Sequence, residues 1–137
     1  MPTERPRRRT VPVPPVDLRA TLAPLRRSGH DPTTRLGLDG FWRATRTPDG
    51  PATLHVPTPA GVVEEVSARA WGPGADAVLA TLPRLVGAED RPEDFVAHHE
   101  LTAEIVRRRP GRRLPATGTL VELLIPVVLE QKVTGLE

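Results

Sequence analysis

Seventeen prolines and eleven glycines punctuate a chain of 137 residues. Proline lacks an amide hydrogen and fixes φ, while glycine releases the backbone into turns. The chain is therefore cut into short segments, which favours strands, tight turns and short helices over long bundles. The length suits one ordinary domain, or one small domain and the opening of a second. Apolar residues make up 38% of the chain and charged residues 26%, a globular balance with a lean core. No window approaches the roughly eighteen apolar residues of a membrane span. The N-terminal stretch is charged and proline-rich with no apolar h-region, so no secretory signal is read. Cysteine is absent, which excludes disulfide scaffolds, cysteine–zinc sites, iron–sulfur clusters and thiol nucleophiles.

The pattern predicts an α+β fold: a four-stranded, mostly antiparallel sheet covered by a helix, then the first helices of a helical domain. Residues 1–15 (MPTERPRRRTVPVPP) read as a flexible proline- and arginine-rich arm. Alternation of Val16, Leu18, Ala20 and Leu22 with Asp17, Arg19, Thr21 and Ala23 reads as the first strand. Phe41–Arg46, Ala52–Val56 and Val62–Trp71 read as the other three. Thr47–Pro48–Asp49–Gly50 and Thr58–Pro59–Ala60–Gly61 turn the chain between them. Trp42 and Trp71 read as core residues on these strands.

From Ala75 to Val86 a stripe of Ala75, Val78, Leu79, Leu82 and Leu85 predicts the covering helix, with Pro83 bending or ending it. Glu100–Arg109 is predicted helical with Leu101 and Ile105 inward, and Pro110–Gly111 stops it. Thr119 with Glu122 three residues on is a capping-box signature, and the helix that follows, through Val133, is apolar nearly all round. Such a helix needs neighbours on every side, Leu124 included. The expected division is an arm over 1–15, an α+β domain over 16–96 and, over 97–137, the opening of a helical domain whose core a further region or a partner chain completes.

Charge distribution says more than net charge, which is only +2. Lys132 is the only lysine; the other eighteen basic residues are arginine, a bias that a GC-rich genome produces by itself. Arg5, Arg7, Arg8 and Arg9 form one cluster and Arg107, Arg108, Arg109, Arg112 and Arg113 another. Such clusters suit phosphate contact, and equally suit a solvated surface. No catalytic apparatus is visible. His98, His99 and Glu100 lack the i, i+4 spacing of a helical metal pair. No nucleophile elbow, phosphate-cradling glycine loop, metal-ligand set or cofactor motif is present.

The C-terminal third carries a recognisable progression. Arg109–Pro110–Gly111–Arg112–Arg113–Leu114–Pro115, followed by the LIPVVLEQKVT stretch over 124–134, resembles the DNA-3-methyladenine glycosylase II family of helix-hairpin-helix DNA glycosylases. The order of sheet and covering helix upstream is similar as well, so the resemblance spans roughly residues 16–137. It implies base-excision repair on double-stranded DNA: an alkylated base is flipped from the stack and its N-glycosidic bond hydrolysed. It implies a bacterial, cytoplasmic, nucleoid-associated protein that needs no cofactor or metal. Gln131 matches the motif glutamine, or serves only as a helix-terminal residue. Lys132 falls where the family inserts its wedge, and Arg112 and Arg113 are the phosphate candidates. The family's hairpin and catalytic aspartate lie downstream of the stretch matched here, so the resemblance implies no catalytic residue in this chain and no activity by it alone. The alternative expectation is a stand-alone, non-catalytic module that binds nucleic acid or another protein.

Overall fold

The computed structural model describes residues 5–131. Turn chemistry sets the sheet. At Thr47–Gly50 the Thr47 hydroxyl donates to the Gly50 carbonyl (2.9 Å) and accepts from the Asp49 amide (3.2 Å), closing the hairpin between β3 (Gly40–Thr47) and β4 (Gly50–Val56). The preceding hairpin joins β2 (Thr34–Gly37) to β3 through Leu38 and Asp39. Gly40 holds φ +119° there, and a Cβ would sit 2.4 Å from the Val56 carbonyl oxygen, so no other residue fits. β5 (Val63–Trp71) pairs with β4, and β1 (Arg7–Val16) returns to pair with β5. The sheet is α+β in context, five-stranded and antiparallel throughout, in the order β1-β5-β4-β3-β2.

Three expectations give way here. The sheet has five strands rather than four. The stretch read as a flexible arm supplies one of them, from Arg7 onward: Val11, Val13 and Val16 are buried, and the intervening prolines occupy a sheet edge, where a missing amide hydrogen costs no ladder bond. The stretch read as the first strand is instead helix α1 (Leu18–Leu22). The Asp17 carboxylate caps it by accepting from the Ala20 amide at 2.9 Å. Leu18, Thr21 and Leu22 then face inward at helical spacing.

One face of the sheet carries the core. Phe41, Leu54, Val56 and Val66 meet Leu18 and Leu22 of α1 and the buried side chains of α2 (Ala75–Ala80) and α3 (Leu82–Leu85). The predicted covering helix is thus two short helices, with Pro83 at the start of the second. Beyond them, α4 (Glu100–Arg108) and α5 (Leu120–Glu130) contribute no buried residue. Leu101 and Ile105, expected inward, are exposed, as is Leu124. Among the described residues, no helix is long and apolar enough to cross a membrane.

Candidate nucleic-acid interface

The motif segment between α4 and α5 is built into the sheet domain by its turn. Gly111 holds φ +78°, and its carbonyl accepts from the Asp17 amide at 2.8 Å. A Cβ on Gly111 would lie 2.9 Å from Val62 Cγ2 and 3.0 Å from the Asp17 nitrogen. This close approach carries Arg113 inward. Its amide donates to Thr21 Oγ1 at 3.1 Å, its Nε to the Pro15 carbonyl at 3.0 Å and its Nη1 to the Asp90 carbonyl at 2.8 Å. The Asp90 carboxylate accepts from the next amide, that of Leu114, at 2.9 Å. Only 9% of Arg113 is exposed. The expectation of a phosphate contact therefore does not suit Arg113, whose donors are turned to carbonyls inside the fold.

Arg112 alternates outward and is exposed. With Arg109 it borders a cavity of about 560 Å³ whose apolar wall includes Phe95, Ile105, Val106 and Leu114. Arg107 and Arg108 are exposed on the last turn of α4, where Arg108 pairs with Glu104. Gln131 is the exposed C-cap of α5, on a different helix end from the arginine turn. Lys132 lies outside the described residues. The structure thus brings Arg109 and Arg112 to one groove, while Gln131 belongs to another part of the surface.

α5 is fixed at its first turn by a polar cluster that sequence reading did not anticipate. The predicted capping box does not form: Thr119 makes no side-chain cap bond to its own helix. Glu122 instead crosses to β3. It accepts from Arg43 Nη2 at 2.9 Å, from Thr45 Oγ1 at 2.9 Å and from the Arg46 amide at 3.2 Å. Arg43 Nη2 also donates to Thr119 Oγ1 at 2.8 Å. Arg43 is 8% exposed and projects from the core-bearing face of β3, where alternation alone gives an apolar expectation. Burial works to raise the Glu122 carboxyl, but the bonds from Arg46, Thr45, Arg43 and Thr119 outweigh it and hold the group below the ordinary carboxylate range.

The cover of α5 is otherwise slight: Leu123 and Pro126 are half-buried beside Leu25 and Arg27, and the other apolar side chains are open. Leu120, Val121, Leu124, Ile125, Val127, Val128 and Leu129 are all exposed. His98 and His99 are exposed at the start of α4. Among the described residues no group of three histidine, cysteine or acidic side chains is placed to hold a metal ion. Trp42 and Trp71, read as core, stand on the sheet face opposite the helices, because their neighbours Phe41 and Ala70 take the inward positions. No protein-family model, curated protein or solved structure matches the chain.

Proposed function

We propose that this chain is the front part of a DNA glycosylase of the 3-methyladenine II type: a sheet domain that carries the first helices of a helix-hairpin-helix domain and contributes to holding duplex DNA. The observation that carries the reading is α5. It is apolar nearly all round, yet among the described residues it is held by polar contacts at its first turn, where Arg43 and Thr45 reach Glu122 and Arg27 donates to the Glu122 and Leu123 carbonyls, and most of its apolar side chains are exposed. An exposed apolar surface of this extent marks an interaction surface, and further helices of the same glycosylase domain are the cover that the RPGRRLP and LIPVVLEQKVT wording implies. Hydrolysis belongs to those further helices in this reading, since among the described residues no convergent catalytic group stands. In this reading Arg112 and Arg109 contact duplex phosphates beside the groove, Gln131 at the end of α5 lies toward the lesion, Lys132 takes the family's wedge role, and Arg113 positions the turn that presents Arg112.

The test is duplex binding by the chain itself, followed by fluorescence anisotropy with an end-labelled oligonucleotide. Binding is expected in the range of non-specific contacts, with dissociation constants of about 1–100 µM that weaken as salt rises. Arg112→Glu is expected to weaken it about tenfold without lowering the melting temperature. No detectable binding at low salt, or binding indifferent to Arg112→Glu, overturns the assignment. The same bare helix also suits a non-catalytic module docking on another protein, and in that case duplex DNA leaves the anisotropy unmoved.

A further inference from the structure

Among the described residues one face of the sheet bears no helix, and a transverse row of side chains crosses it, one from each strand. Register pairs Arg8 with Arg69, Arg69 with His55, His55 with Trp42, and Trp42 with Arg35. Residues directly opposite in antiparallel strands share a face, so Arg8, Arg69, His55, Trp42 and Arg35 form a continuous line. Four strand spacings make it about 19 Å long, the rise of five or six nucleotides in one strand of B-form DNA.

The middle of the row is rigid. The Trp42 and His55 rings stack at 4.2 Å between centroids, and Trp71 stacks on Trp42 at 5.6 Å and 16°. The guanidinium of Arg35 lies over Trp42 at 5.6 Å. His55 is tied on both ring nitrogens. Nε2 faces the Asp39 carbonyl at 2.8 Å, which only accepts, so Nε2 carries the hydrogen. Nδ1 is then free to accept from Arg69 Nη2 at 3.2 Å. The imidazole thereby fixes one guanidinium of the row, and Asp39 fixes another by accepting from Arg35 at 2.8 Å and from Trp42 Nε1 at 2.7 Å. Small hollows flank the stack. One of about 220 Å³ is bordered by Arg8, Thr10, Ser67 and Arg69. The other, of about 290 Å³, is bordered by Arg35, Trp42, Ala44 and Thr53.

Charge on this face is one-sided. Strand alternation places Arg8, Arg35, Arg46 and Arg69 on it, against Glu65; Asp39 joins from the β2–β3 turn, and Asp31, whose carboxylate accepts from the Arg27, Thr33 and Thr34 amides, borders the hollow beside Arg35. Asp39 is already paired with Arg35, and Glu65 stands opposite Pro12, away from the row. We propose that this open face binds the phosphodiester backbone of a nucleic-acid strand, with Arg8, Arg69 and Arg35 as phosphate contacts and the stacked Trp42 and Trp71, backed by the buried His55, as the floor between them. A planar, preorganised guanidinium is the side chain suited to phosphate oxygens, and alternation of cations with aromatic rings is the pattern of single-strand binding surfaces. This inference is independent of the repair reading, which uses a different surface.

The chain provides its own probe. Trp42 and Trp71 are its only tryptophans and it has no tyrosine, so its intrinsic fluorescence reports on this face. Titration with a twelve-nucleotide single strand at low salt is expected to quench that emission saturably. The affinity should fall with salt at a log–log slope of about −2, at roughly 0.7 per neutralised phosphate of a single strand. The duplex of the same sequence tells whether one strand or two is accepted. Arg8→Gln with Arg35→Gln is expected to lower the affinity at least tenfold and to flatten the slope to about −0.7, while Arg112→Glu leaves the quench unchanged. Both row side chains are exposed, so the double variant should melt with the parent chain. If it does not, the slope of the parent chain decides: a value near zero overturns the proposal. So does the absence of quenching up to about 100 µM strand, an affinity unchanged in the double variant, or an equal quench from polyglutamate, which would assign the face to acidic protein.

Discussion

Arg113 is nearly out of water, yet among the described residues no carboxylate pairs with its guanidinium. Its charge is met by the Pro15 and Asp90 carbonyls, and its amide by Thr21. Truncation would strand two carbonyl oxygens and open a hole beside Gly87, whose backbone leaves no room for a neighbouring shift: a Cβ there would lie 2.6 Å from Arg113 Cβ. Losing charge-assisted bonds at a buried site costs about 2–3 kcal/mol. Arg113→Ala is therefore expected to lower the melting temperature by several degrees, followed by circular dichroism, while Arg112→Ala next to it stays within about 0.5 kcal/mol of the parent. Equal effects would contradict the burial assigned to the turn. The sequence shows two identical adjacent residues, and nothing in their type separates them. What separates them is Gly111, whose positive φ and contact with Asp17 decide which arginine points inward. That contact belongs to the tertiary fold and is invisible to local pattern.

At the scale of elements, the β3–β4 hairpin and β5 were legible because proline, aspartate and glycine mark their turns and the apolar alternation between the marks is regular. Val16–Leu22 is ambiguous in sequence because its apolar spacing fits period two as well as it fits i, i+3, i+4; the Asp17 cap decides for the helix. Thr34–Gly37 is silent in sequence because four residues with one buried side chain carry no period at all. The anchoring of α5 was also illegible, since Thr119 and Glu122 fit a capping box and only the fold supplies Arg43. Glu122 yields a pH prediction. Its folded pKa is depressed, so its contribution to α5 docking is fully present above the unfolded value of about 4.3. That contribution is lost as pH falls through the folded pKa. In carboxyl-detected NMR, Glu122 should titrate below the ordinary glutamate value, and the Thr119–Leu123 amides should shift with it. Glu122→Gln should abolish that step and loosen α5 at neutral pH. Because the Glu122 side chain is 38% exposed, solvent screening keeps the loss to at most about 1 kcal/mol. A Glu122 that titrates at or above the ordinary glutamate value would remove the cluster as the anchor.

Taken as one molecule, the described chain divides its apolar residues unevenly. Every buried hydrophobic residue lies between Val11 and Val86. Apart from Leu38 and Val62, every exposed large one lies from Phe95 onward. The sheet domain therefore accounts for the hydrophobic stabilisation, while α4 and α5 hold their shape by local bonds and, for α5, by the links from Arg43 and Thr45 to Glu122 and from Arg27 to the Glu122 and Leu123 carbonyls. Two consequences separate these halves experimentally. Substituting an inward residue such as Leu54 by alanine should cost about 2–5 kcal/mol. Leu124→Asp with Val128→Asp should leave the melting temperature within about a degree, because a charge on an exposed site keeps its water. The same double variant should change association. The parent chain's bare helix removes apolar surface from water whenever it meets a like surface, at about 25 cal/mol for each Å² covered. Light scattering after size exclusion should therefore find the parent chain associating as its concentration rises and the double variant monomeric throughout. A parent chain that stays monomeric at high concentration, or a double variant that melts early, would mean that α5 is already covered by its own molecule. The front part of a larger helical core would then no longer be the reading of choice.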